Sequence, residues 1–172
     1  MMMSNSESAD LIDTLVGLDP QGSTYAARHF RTKVLNGTQA SYDALFSPAL
    51  GLSLTYRWLV ALYASRLSGA NELAEHYLEQ ARANNVEESL IEAVESGQLD
   101  GVNDNILESI LLFTRKLIQK PIEGDQAALL ELKQVGVATP DIVALAQLIA
   151  FLSYQIRLVA GLKAMQALEK TA

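Results

Sequence analysis

Residues 142–156, reading IVALAQLIAFLSYQI, run for 15 residues without a charge. No other stretch limits the possible folds as strongly. Thr139-Pro140 introduces it, and an N-cap hydroxyl followed by proline at the first helical position is a helix start. The pattern therefore predicts a helix over 141–168, the longest in the chain. Ile142, Leu145, Ile149, Leu152, Ile156 and Val159 form one stripe of it. Val143, Leu148, Phe151, Leu158 and Leu162 make much of the opposite side apolar too. A helix that is apolar nearly all round must be covered nearly all round. The uncharged run is shorter than the roughly 18 residues that span a bilayer, and it carries Gln147 and Gln155 and meets Arg157 at once. The expectation is a buried core helix and no membrane. In so short a chain part of the cover is expected from another subunit, giving a homo-oligomer through the C-terminal helix. A charge at Arg157 is costly unless paired, so a carboxylate, a carbonyl, a subunit boundary or open solvent must receive it.

No other segment alternates with period two long enough for a strand, and the hydrophobic fraction is rich in Leu and Ala with only 6% aromatic residues. The expected fold is all-α, a compact bundle. Residues 1–9 are polar and expected to be a disordered tail, and 10–172 one helical domain. Helical spacing appears over 10–18, then over 24–46 with a break at Asn36-Gly37. Ser53 is the expected N-cap of a helix over 53–68, and Gly69 is a tight junction to a second over 70–84. Further helices follow over 87–96, ended by Gly97, and from Asn103 or Asp104 to 119, stopped by Pro121. The last before the long helix covers 124–135, closed by Gly136.

Composition removes several function classes. The chain has no cysteine, so disulfides, thiolate metal sites and thiol nucleophiles are excluded within it. A formal charge of −7 argues against nucleic acid, whose phosphates demand clustered Lys and Arg. Two histidines far apart, with no His-x-x-x-His or Glu-x-x-His pair, make no metal site. No Gly-rich phosphate loop or G-x-S-x-G occurs, and no cofactor is expected. The N-terminus lacks a basic run, and 11–18 is too short and acidic for a signal segment. The expected location is cytoplasmic.

The stretch WLVALYASRLSGANELAEHY, residues 58–77, resembles the redox helix pair of the alkylhydroperoxidase D / carboxymuconolactone decarboxylase superfamily. Leu67-Ser68-Gly69 resembles the Leu-Asn-Gly that precedes the first cysteine there. YLEQARANNVEESLIEAV, FTRKLIQKP and ELKQVGVATPDIVALAQLIAFLSYQIRLVAGL are similar to later parts of peroxidase-related members. LIDTLVGLDPQG and TQASYDALFSPA are similar to one branch of these proteins. The resemblance implies an alkylhydroperoxidase-D-like bundle that assembles into oligomers. It aligns Trp58 with the family's relay Glu, Ala70 and Leu73 with its Cys-x-x-Cys pair, and Tyr77 with its relay His. Every redox position is replaced, which implies antioxidant ancestry without thiol peroxidase activity.

Helical geometry bears on that alignment independently. At 100° per residue Ala70, Leu73, Ala74, Tyr77, Leu78 and Ala81 share one face, and Glu72, Glu75, Glu79 and Arg82 the opposite one. The aligned positions thus point inward together, refilled with apolar atoms and one phenol. His76 falls at the border of the two faces, where a partner or water suffices; it is also the one weak catalytic candidate, a general acid or base near neutral pH. His29, in ARHFRTK, reads as a solvated surface group. Arg66, three residues after Tyr63, reads as a cation–π or ion-pair residue. Three functions remain open: a ligand-binding or association protein with a lost redox centre, a cofactor-free decarboxylase or isomerase using His76 with Tyr77 and Arg66 nearby, and a structural helical oligomer. A small-molecule ligand is compatible with the first two.

Overall fold

The structure, a computed structural model, describes residues 10–171; the expected tail over 1–9 lies outside the described residues. Among the described residues every regular element is helical. They are α1 (Leu11–Val16), α2 (Ser23–His29), α3 (Thr32–Leu45), α4 (Leu54–Leu67), α5 (Asn71–Ala83), α6 (Glu88–Ser96), α7 (Asn105–Gln119), α8 (Gln126–Gln134) and α9 (Thr139–Glu169). Single 3₁₀ turns precede and follow α7.

The helix buried on all sides is α4, not α9. Every residue from Arg57 to Ser65 is buried, because α5, α6, α7 and α9 all pack against it. Ala61, Ala64 and Ser65 let these neighbours approach, while Leu59, Val60 and Leu62 fill the space between them. Ser65 turns its hydroxyl back to the carbonyl of Ala61 at 2.8 Å and so needs no external partner. Within this chain α9 is covered on one side only. Ile142, Leu145, Leu148, Ile149, Leu152, Val159 and Leu162 are buried, but Val143 and Leu168 are 52% and 70% exposed. One face of α9 is covered by this chain and the other is open. With 31 residues α9 also passes the length and composition of a membrane span, but 44% of its most apolar window is buried inside the protein.

Capping residues set several boundaries. Asp104 accepts from the amides of Ile106 and Leu107 to start α7, and Asp125 accepts from Ala128 to start α8. Gly69 and Gly136 take left-handed conformations, with φ of 65° and 95°, which glycine adopts without strain. Three expectations change. Ser53 occupies the N-cap of α4 but makes no side-chain cap bond. Ala138 rather than Thr139 is the N-cap of α9, so Pro140 falls at the second helical position, still within the first turn where its missing N–H is harmless. The break near 36–37 lies instead at Phe30-Arg31, where Arg31 leaves helical geometry at ψ 76°. Asn36 and Gly37 continue α3; an exposed glycine costs a helix about 1 kcal/mol, which packing overrides.

Two polar devices fix the periphery. Glu169, near the end of α9, accepts from the hydroxyls of Ser23 and Thr24 and from the Thr24 amide, capping α2 from 145 residues away. Those bonds hold its carboxyl below the usual range. The second device is Arg57, 1% exposed. Its guanidinium donates to the carbonyls of Leu45, Ser47 and Leu52. It therefore ties the α3–α4 connection to the core helix by neutral acceptors alone, and burial lowers its pKa. Arg157, the arginine that the sequence singles out, is exposed and donates to its own helix at the Ser153 carbonyl.

Arg57→Met keeps the volume but leaves three carbonyls without their donor. The Ser47 carbonyl keeps the Leu50 amide and only the Leu52 bond is fully buried; an unsatisfied buried group costs about 1–3 kcal/mol, so urea unfolding is expected to show a loss of about 1–3 kcal/mol. A loss below about 1 kcal/mol contradicts the role assigned to this residue.

Candidate functional site

α4 and α5 form an antiparallel pair joined at Ser68-Gly69, and this hairpin places the residues that the sequence aligns with a redox centre. Ala70 is the half-buried N-cap of α5. Leu73 and Tyr77 follow on its inward face at 1% and 0% exposure. Trp58 sits on α4 with its ring centroid 6.3 Å from that of Tyr77.

Phe46, at the end of α3, closes the group. It stacks on Trp58 at 4.0 Å and 8°, and meets Tyr77 at 5.6 Å. The Tyr77 hydroxyl donates to the side-chain carbonyl of Gln155 on α9. That bond satisfies both groups inside the core, and burial pushes the phenol well above its ordinary value. The indole Nε1 of Trp58 is the one buried side-chain polar atom without a partner among the described residues. The interior is thus three stacked or tilted aromatic rings, a leucine and one internally paired amide. It offers no nucleophile and no carboxylate.

His76 lies beside this nest, half-buried. Its Nε2 meets the hydroxyl of Tyr42 on α3 at 2.9 Å, and its ring packs edge-on against Tyr77 at 5.1 Å. The boundary position matches the helical wheel, but the partner is a phenol rather than a carboxylate or water. Burial lowers the pKa of His76, partly opposed by Glu79. Burial also raises Tyr42, to about 12, with Asp43 adding to it. Near neutral pH the pair is a neutral imidazole against a neutral phenol.

The remaining candidates lie elsewhere. Arg66 is paired with Glu75 at 2.8 Å and Glu95 at 2.7 Å. Tyr63 is instead engaged by Arg115, whose Nε donates to its hydroxyl at 2.7 Å. His29 is not a solvated group. It bonds Asp13 on α1 at 2.7 Å and stacks on Tyr25 of its own helix at 3.8 Å. Two surface clefts, of about 450 and 990 Å³, lie away from these residues and are not lined by Trp58, Leu73, His76 or Tyr77. Sequence reasoning missed Phe46, Tyr42 and Gln155 as members of the nest. Gln155 could have been found, since it occupies the inward step between Leu152 and Val159.

No protein-family model and no curated protein matches this sequence. Solved structures do. The chain superposes on an uncharacterized peroxidase-related protein from Silicibacter sp. TM1040 with a TM-score of 0.71 and 21% identity, over 78% of this chain and 71% of that one. It superposes on a cysteine-to-alanine variant of the debrominase Bmp8, solved with 2,3,4-tribromopyrrole, with a TM-score of 0.67 and 16% identity, over 88% of this chain and 79% of that one. These likenesses show a shared all-helical fold.

The different depths of Tyr77 and His76 have measurable consequences. Tyr77→Ala is expected to cost about 2–4 kcal/mol, as for other large core truncations, and His76→Ala about 1 kcal/mol or less. The reverse order in urea unfolding contradicts the register of α5. Because the folded pKa of His76 is depressed, its stabilising neutral form is fully favoured above the ordinary value of 6.5 and lost as pH falls through the lower folded value. His76→Gln is expected to flatten the pH dependence of stability in that window; an unchanged slope contradicts the assignment.

Proposed function

We propose that this chain is an alkylhydroperoxidase-D-like protein of the carboxymuconolactone decarboxylase superfamily, of peroxidase-related ancestry, in which the redox centre has become core. It acts by association or ligand binding rather than by thiol chemistry. The observation that carries this reading is the closed nest around Tyr77. The residues aligned with the relay and the second thiol, Trp58, Leu73 and Tyr77, are all buried, and the one hydroxyl among them is capped by Gln155. Within the chain there is no cysteine to supply a thiolate.

Association through α9 is part of the proposal. Its outer side presents Val143, Ala150, Tyr154, Gly161, Met165 and Leu168, all exposed, with Arg157 the charge among them. Small residues at Ala150 and Gly161 permit close approach of a second helix, and burial of apolar surface contributes roughly 25 cal/mol per Å², less the cost of association. A second copy is the proposed occupant, in a cytoplasmic protein with neither nucleic acid nor membrane as partner. The second reading, an enzyme using His76 as general base, is favoured by one observation: the imidazole is held neutral beside Tyr42. Arg66, committed to Glu75 and Glu95, does not assist it.

Two experiments test the proposal. Turnover of an organic hydroperoxide with a dithiol reductant is expected at the level of a buffer blank. Ala70→Cys with Leu73→Cys is expected not to restore it, because Trp58 and Tyr77 supply no proton relay; robust turnover in either protein contradicts the reading. Light scattering is expected to show an oligomer at micromolar concentration. Val143→Glu with Leu168→Glu is expected to dissociate it without unfolding, since both side chains are exposed. Phe151 and Leu158 are half-buried and less clean probes. A monomeric parent protein contradicts the association.

A further inference from the structure

Only Thr38 of the 14 residues of α3 is buried. Of the others, Tyr42 and Leu45 pack against the core, and Val34 is 54% exposed. The helix reads TKVLNGTQASYDAL, in which Thr, Asn, Gly, Ser and Asp are all poor helix formers. Arg31 adds no side-chain cap. The two ends of α3 are nevertheless held. After it, Arg57 takes the carbonyls of Leu45 and Ser47, and Phe46 stacks on Trp58. Before it, α2 is fixed by Arg28 on Asp10 and Asp13 and by Glu169 on Thr24. Between these ends, among the described residues, three hydrogen bonds tie α3 to other helices. The Leu11 amide donates to Gln39 Oε1 at 3.0 Å, the Thr38 and Tyr154 hydroxyls meet at 3.0 Å, and the Tyr42 hydroxyl meets His76 Nε2 at 2.9 Å.

A helix this short is marginal in water by itself, since isolated helices below roughly 12–15 residues are barely stable. Its stability must come from packing, and α3 packs little. We infer that α3 is a gate: its middle turns, residues 34–42, open by local unfolding far more often than the whole chain unfolds, and their closure sets the access to Nε2 of His76. Segments with few buried apolar contacts and solvent-facing backbone open in this way. Because both ends are anchored, the opening is confined to α3. The core helix α4, buried from Arg57 to Ser65, keeps its neighbours α5, α6, α7 and α9. Loss of the middle turns takes Tyr42 off His76 and Thr38 off Tyr154, while Phe46 stays on Trp58. The aromatic nest thus remains closed in the open form, and the imidazole beside it is uncovered. The inference rests neither on the lost redox centre nor on association through α9, and it holds whether or not His76 is catalytic.

Native-state amide hydrogen exchange of the ¹⁵N-labelled full chain reads the opening. Carbethoxylation of His76 by diethyl pyrocarbonate, mapped by mass spectrometry, reads the access. In the parent protein the amides of residues 36–42 are expected to be at least about a hundredfold less protected than those of α4. Gly37→Ala adds a methyl that meets no atom within 4 Å and favours the helical state. It is expected to raise the protection of these amides about fivefold, to leave α4 unchanged, and to slow the modification of His76 by a similar factor. Tyr154→Phe removes one fastener from the α9 side and leaves the Tyr42–His76 pair in place. It is expected to shift both readouts at least about twofold the other way. His29, engaged with Asp13 and Tyr25, is the internal control and is expected to react at one rate in all three proteins. Equal protection of α3 and α4 would overturn the inference. So would a Gly37→Ala protein whose α3 exchange slows while His76 reacts at the parent rate.

Discussion

The burial of α4 on every side is the constraint from which the remaining architecture follows. A helix with no exposed face from Arg57 to Ser65 needs a neighbour in each direction, and α5, α6, α7 and α9 supply them. The inward faces of those four helices are consequently mostly apolar, with Thr114 on α7 and Gln155 on α9 the buried polar side chains among them, and their outward faces are where the charges gather. Arg66 with Glu75 and Glu95, Arg82 with Glu88, and Lys116 with Glu131 are surface pairs of this kind. Such pairs contribute little individually; they mark the solvent side rather than hold it. Arg57, the one buried charged residue among the described residues, is tolerated because three backbone carbonyls converge on it. Its position at the start of the buried stretch ties the incoming loop to the centre of the bundle.

The same constraint shapes the aromatic nest. α5 is held against α4 by Leu73, Ala74, Tyr77, Leu78 and Ala81, all buried. With Trp58 opposite and Phe46 stacked across it, the volume at this junction is taken by rings. A phenol inside such a core must hydrogen-bond internally, and Gln155 answers that need from α9. The polar atoms of the nest thus serve packing. His76 and Tyr42 stand one step outward, where partial burial keeps the imidazole neutral without closing it off.

Much of this was legible in the residues. The all-helical class, the tight junction at Gly69, the caps at Asp104 and Gly97, and the inward set on α5 follow from periodicity and turn chemistry. What escaped depends on contacts between distant segments. Composition made α9 look like the surrounded helix, yet α4, shorter and bearing an arginine, is the central one, because coverage is decided by topology rather than by hydropathy. His29 looked solvated because its partner Asp13 lies on another helix. The break at Arg31 rather than at Gly37 has the same origin: α2 is fixed by Asp10, Asp13 and Glu169, which local propensity does not see.

The central claim, that the position aligned with a redox centre is closed core, can be read from a single fluorophore. Trp58 is the only tryptophan of the chain and lies in the nest, stacked on Phe46. Its emission in the native protein is expected to be blue-shifted, and acrylamide is expected to quench it only weakly until urea unfolds the chain. Native emission at the wavelength of free indole in water, with quenching as efficient as in the unfolded chain, would contradict the account.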